Sequence, residues 1–173
     1  MAVLKKCKWT NQVEELEVEA RTRFWIPTEL SSLRKLTVKC MTNTLNLTSP
    51  LKSSEVSMPL PQLKEVLLFL CDETIDYKTF ATILFEAAML EKFSLNLINN
   101  NVIFGFDEQD FRARLDKFKR IPLKSFHLVC DSGRDPLPFE CLLKLIDKCK
   151  DLVYFTYNAN HHQCQVLNSR GFT

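Results

Sequence analysis

At 173 residues with 46% apolar side chains, the chain has the length for one domain and enough apolar mass for a real core, which excludes a disordered polymer. Its 23 basic and 21 acidic residues leave a formal charge of +2, so no overall field favours nucleic acid or an anionic membrane surface. The longest apolar run, Val66 to Cys71, is too short to span a bilayer, and Met1 is followed by Lys5, Lys6 and Lys8 with no long apolar stretch behind them. Seven cysteines lie scattered without paired spacing, as expected for reduced thiols in an intracellular protein, cytoplasmic or nuclear.

Along the chain one spacing recurs, LxxLxL with apolar or aromatic residues at the three fixed positions. It occurs at Val13, Leu16, Val18 and again at Leu33, Leu36, Val38. Residues 41 to 61 are then rich in Ser, Thr, Asn and Pro, which predicts an extended or irregular connection. The third copy is Leu63, Val66, Leu68, followed by Asp76 as a helix cap and an apolar face of Phe80, Ile83, Leu84, Ala87 and Ala88. The fourth is Leu90, Phe93, Leu95, followed by Asp107 as a cap and Phe111, Leu115 and Phe118 at helical spacing. After the fifth copy, Leu123, Phe126, Leu128, the prolines Pro136 and Pro138 open a helix whose expected buried stripe is Leu142, Leu143, Leu145, Ile146 and Cys149. The sixth copy is Leu152, Phe155, Tyr157.

Successive copies are 20, 30, 27, 33 and 29 residues apart, and the last two apolar residues of each have the period-2 spacing of a strand. This predicts a repeat array of strands alternating with helices. Leu63, Val66, Leu68 and Cys71 followed by Ile75-Asp76, and Cys149 followed by Leu152, Phe155 and Tyr157, resemble the cysteine-containing leucine-rich repeats of F-box substrate receptors of ubiquitin ligases. The resemblance covers about residues 13–157. Cys40 and Cys130 come one position early, Ala87 stands where a second cysteine would be, and the asparagine ladder of shorter repeats is absent despite Asn96 and Asn99.

The resemblance implies an α/β leucine-rich repeat solenoid of six repeats in one domain, with 1–12 and 158–173 as flanks. A curved parallel sheet would form the concave face, with helices and irregular segments on the convex face. It also implies a protein-interaction scaffold, a substrate-recruiting adaptor or part of a ubiquitin-ligase receptor. No F-box helix set is legible in residues 1 to 12, and the first repeat has no evident cap, so a further chain segment or subunit is expected over that end.

If the triplets point inward, the residues between them form three outward rows, because side chains alternate along a strand. The rows are Glu15, Lys35, Glu65, Lys92, Ser125, Tyr154; Glu17, Thr37, Leu67, Ser94, His127, Thr156; and Glu19, Lys39, Phe69, Asn96, Val129, Asn158. In the first row the charges alternate in sign from strand to strand, which favours this register. Leu67 and Phe69 are then outward apolar residues at the middle of the sheet, with Val129 and Tyr154 further along. The expected partner-binding residues are Leu67, Phe69, Lys39, Lys92, Asn96, His127, Val129, Tyr154, Thr156 and Asn158.

A nucleic-acid surface built from Arg112, Arg114, Lys117, Lys119, Arg120 and Lys124 is the alternative, although Asp116 interrupts it and an amphipathic helix accounts for the same residues. Three glycines give no phosphate loop, and no nucleophile motif is present, so no catalytic residue and no cofactor are expected. His161, His162 and Cys164 lack a complementary ligand pair, and no metal site is expected from them.

Overall fold

The computed structural model describes residues 12–20, 30–40, 61–71, 75–98, 103–130, 135–159 and 162–167. Nine strands and three helices occur in this part of the chain, in the order β1 (Glu15–Ala20), β2 (Lys35–Cys40), β3 (Glu65–Cys71), β4 (Ile75–Asp76), α1 (Tyr77–Glu86), β5 (Lys92–Ile98), β6 (Ile103–Phe104), α2 (Glu108–Lys117), β7 (Ser125–Cys130), α3 (Phe139–Lys148), β8 (Tyr154–Ala159) and β9 (His162–Leu167). The main sheet runs β1-β2-β3-β5-β7-β8-β9, so its strands follow chain order. All neighbours are parallel except β8 and β9, which pair antiparallel. The result is a mixed α/β fold with a sequentially ordered parallel sheet.

The register matches the rows read from the sequence: Glu15 pairs with Lys35, Lys35 with Glu65, Glu65 with Lys92, Lys92 with Ser125, and Ser125 with Tyr154. Each strand entrance is bonded in the same way. The carbonyl of Glu14 accepts from the amides of Arg34 and Lys35, that of Arg34 from Lys64 and Glu65, and that of Lys64 from Glu91 and Lys92. The carbonyls of Glu91 and Lys124 do the same for Lys124 and Ser125 and for Val153 and Tyr154. A second bond recurs three residues before the strand motif, from Leu33 to Leu30, from Leu90 to Ala87 and from Leu152 to Cys149. Leu30, Ala87 and Cys149 thus occupy equivalent buried corners.

Inward residues of the parallel strands and the helices share one core. Leu33, Leu36, Leu63, Val66, Leu68, Leu95, Leu123 and Leu128 are fully buried. Across the inner face Phe93 stacks on Phe126 with ring centres 5.7 Å apart, and Phe126 on Phe155 at 6.0 Å. Helix α1 drops Phe80 edge-on against Phe93, and Phe111 of α2 lies 6.3 Å from Phe80 and 5.2 Å from Phe85. The sheet and the helix layer are therefore joined through aromatic contacts, which hold large areas out of water. At the other end Val13, Leu16 and Val18 are only partly buried, and among the described residues β1 has one strand neighbour.

The helices begin close to where their signals lie. Asp107 caps α2 by accepting from the Asp110 amide at 2.9 Å, with extended backbone (φ −106°, ψ 100°). Asp107→Ala is expected to cost about 1 kcal/mol in a urea denaturation. Gly105, two residues earlier, has φ +67°, a left-handed turn that suits glycine. α1 begins immediately after Asp76, whose side chain is outside the description. The irregular connection expected at 41 to 61 falls almost wholly outside the described residues.

Several sequence expectations need correction. Ala88 lies beyond the end of α1 and is exposed, while Thr79 and Thr82 are buried along with the apolar residues of that helix. Leu143 is 45% exposed, and the buried face of α3 is Cys141, Leu142 and Leu145, with Ile146 partly covered and Cys149 following. The C-terminal flank contains β9, so the sheet continues past Asn158 as a hairpin. β4 and β6 add a small two-stranded parallel sheet in which Ile75 faces Ile103, both of them buried.

Candidate interaction surface

The outward positions of the sheet define the surface. Along each strand the inward residues belong to the core while the alternate ones retain solvent contact, as the pleat requires. Leu67, Phe69 and Val129 are half-buried between their strand neighbours but do not join the core. Tyr154 is 57% exposed. Phe69 and Val129 lie on either side of Asn96 in one row, about 10 Å apart at two strand spacings, so the apolar groups are interleaved with polar ones.

The charged rows are largely self-neutralised. Lys39 Nζ reaches Glu17 Oε1 at 2.6 Å, and Glu65 takes Lys35 at 3.8 Å on one side and Lys92 at 3.3 Å on the other. The Lys39 ammonium hydrogen-bonds to the Glu17 carboxylate and attracts it, holding the Glu17 carboxyl below its usual value. Such exposed pairs add little to stability, but they fix the register and occupy each other's charge. A second ladder at the strand entrances pairs Arg34 with Glu14 at 3.8 Å and Lys124 with Glu91 at 2.9 Å.

The β5 to β8 half of the face is different. His127 Nε2 donates to Asn96 Oδ1 at 3.2 Å, and Asn96 Nδ2 donates to Ser94 Oγ at 3.2 Å. Ser125, Thr156 and Asn158 complete a patch of uncharged polar groups around Val129. Burial pushes the His127 imidazole below its ordinary value, so it is neutral near pH 7. The unfolded chain takes up that proton at higher pH than the folded one. Stability from this group is therefore complete above about pH 6.5 and is lost as pH falls toward the folded value. The measurement is the urea midpoint from pH 8 to pH 5, where His127→Gln should show a shallower decline than the wild type.

The basic residues are distributed otherwise than a nucleic-acid surface would need. Arg112 is held by Glu108 at 2.6 Å, Arg114 by Asp110 at 2.7 Å and Glu86 at 3.3 Å, Arg120 by Asp151, and Lys124 by Glu91. Lys117 and Lys119 are exposed. Most of the candidate cations are thus already balanced by carboxylates, three of them from other parts of the chain.

Two features had no clear sequence signal. Asp110 joins α1 to α2 by accepting from Tyr77 Oη at 2.7 Å as well as from Arg114, with Arg114 also reaching Glu86. Burial would raise the Asp110 carboxyl, but the hydrogen bonds from Tyr77 and Arg114 outweigh it and hold it below its usual value. On α3, Phe139 and Leu143 are 55% and 45% exposed, four residues apart on one side of the helix. The i, i+4 spacing could have suggested a stripe, but not which side of the helix met the core.

No family model, curated protein or solved structure matches this chain. What the surface can do therefore has to come from its chemistry. Among the described residues no His, Cys, Asp and Glu gather into a group able to hold a metal, and no helix is long and apolar enough to cross a membrane. His161 lies outside the described residues, and only the backbones of His162 and Cys164 are placed, in β9. Cys130, Cys141 and Cys149 are buried and outside any disulfide, and burial pushes the Cys149 thiol up to about 12, which makes it a packing group at neutral pH.

Proposed function

We propose that the protein is a non-enzymatic interaction scaffold of the leucine-rich repeat type, which docks a protein partner on the outward, concave face of its sheet. The observation that carries this reading is the set of partly buried apolar side chains outside the core, Leu67, Phe69 and Val129, set among polar groups on a face whose charges are mostly paired with one another. Apolar anchors within a polar surround are the arrangement of interface hot spots. The identical bonding at each strand entrance supports a solenoid built of stacked units. In this reading the chain works inside the cell with reduced cysteines, as a substrate-recruiting adaptor or the repeat part of a ubiquitin-ligase receptor. A further segment or subunit would cover the β1 end, where Val13, Leu16 and Val18 are only partly buried.

The test is affinity capture with the wild type and a Leu67→Ser, Phe69→Ser double variant whose folding is checked by circular dichroism. Losing both anchors is expected to weaken a specific partner by about 2 kcal/mol or more, roughly thirtyfold. A folded variant that captures the same partners at the same level would remove the outward face from consideration.

A further inference from the structure

The outward face changes character at β5. Toward β1 it carries ion-paired Glu and Lys side chains, with Lys39 on Glu17 at 2.6 Å and Lys92 on Glu65 at 3.3 Å. Toward β8 the outward positions of β7 and β8 hold no permanently charged side chain at all: Ser125, His127 and Val129, then Tyr154, Thr156 and Asn158. A charged group laid on that half would lose hydration with no counter-charge opposite it, which is unfavourable, whereas neutral donors and acceptors would find partners.

We infer that the segment docking here is an uncharged stretch of polypeptide where it crosses β7 and β8, with an apolar side chain over Asn96 of β5 seated between Phe69 and Val129. This inference rests on the docking reading above and states the chemistry of the partner. His127 shows how the face is prepared. Its Nε2 proton is committed to Asn96 at 3.2 Å, which leaves Nδ1 as an acceptor for an amide or hydroxyl of the partner. Burial keeps that ring neutral near pH 7, so the patch as a whole is uncharged in the range where it works. Asn96 is in turn held by its bond to Ser94 at 3.2 Å, so the polar groups are oriented before a partner arrives. A nucleic acid fits less well, because its phosphates would meet no unpaired cation on β7 or β8.

The experiment pans a random twelve-residue peptide library on the full chain and measures the enriched peptides against three variants: Leu67→Ser with Phe69→Ser, Thr156→Lys, and Thr156→Glu. The expected result is a shared motif without Asp, Glu, Lys or Arg. Binding of these peptides should fall at least tenfold in the double variant, and should fall in both Thr156 variants whatever the sign of the new charge. A motif with a required charged residue, lost in one Thr156 variant and improved in the other, would overturn the uncharged partner and leave docking on this face intact. Enriched peptides indifferent to the double variant and to both Thr156 changes, or no enrichment at all, would overturn the docking reading and this inference with it. A single-stranded oligonucleotide that displaces the peptides would overturn the choice of polypeptide. The Thr156 pair keeps the test decisive if the double variant does not fold.

Discussion

Phe126→Ala should destabilise the protein by about 3–5 kcal/mol, a large fraction of the roughly 5–15 kcal/mol that holds a domain of this size together. Phe126 is buried at the centre of the inner face and stacks on both Phe93 and Phe155, so truncation empties a site bounded by two rings and breaks two aromatic contacts at once. Strand pairing on either side limits how far β5 and β8 can close the gap. Phe126→Leu keeps most of the volume and should lose much less. The measurement is urea denaturation followed by circular dichroism, in which a wild-type midpoint for Phe126→Ala would contradict the packing described.

The second large effect belongs to β3. Leu68 is fully buried, with its neighbours in the inward row, Val38 and Leu95, packed into the same core. Leu68→Ser removes about 2–5 kcal/mol of apolar burial and packing, and places a hydroxyl where water cannot reach it, costing about 1–3 kcal/mol more if it finds no partner. The sum is enough to leave the chain largely unfolded. Leu67, the next residue, faces the other way and is half-buried outside that core, so Leu67→Ser should cost about 1 kcal/mol or less.

The strand register was legible because it follows from two simple periods, the alternation within a strand and the similar spacing of Val13, Leu33, Leu63, Leu90, Leu123 and Leu152. Asp107 marked a helix start because its side-chain cap acts locally, and Pro138 because a proline's fixed φ suits the entry to a helix. The buried side of α3 was not legible in the same way. Apolar residues at 139, 141, 142, 143, 145 and 146 cover more than half of the helix circumference, and only the sheet and α2 beneath it decide that Leu142 and Leu145 go in while Leu143 stays out. β9 escaped notice because it returns antiparallel from a short connection and needs no LxxLxL spacing to pair with β8. β4 and β6 are two residues each, too short for any period to show.

The candidate surface was legible through the same alternation, which by itself puts Leu67, Phe69, His127 and Val129 outward. Its electrostatic layout was only partly so. The alternating signs of Glu15, Lys35, Glu65 and Lys92 could be read in sequence, and Glu108 with Arg112 has helical spacing. The partners of Arg120 and Lys124, Asp151 and Glu91, are about thirty residues away and meet only through the fold. A basic run in sequence therefore became a set of paired charges in space.

The claim on which everything else depends is that one face of this sheet is committed to the core and the other is left for a partner. It is tested most directly by comparing the urea midpoints of Leu67→Ser and Leu68→Ser under one set of conditions. The account predicts a midpoint close to wild type for Leu67→Ser and a largely unfolded chain for Leu68→Ser. Equal losses, or a greater loss for Leu67→Ser, would mean that the outward face is itself buried, and would contradict it.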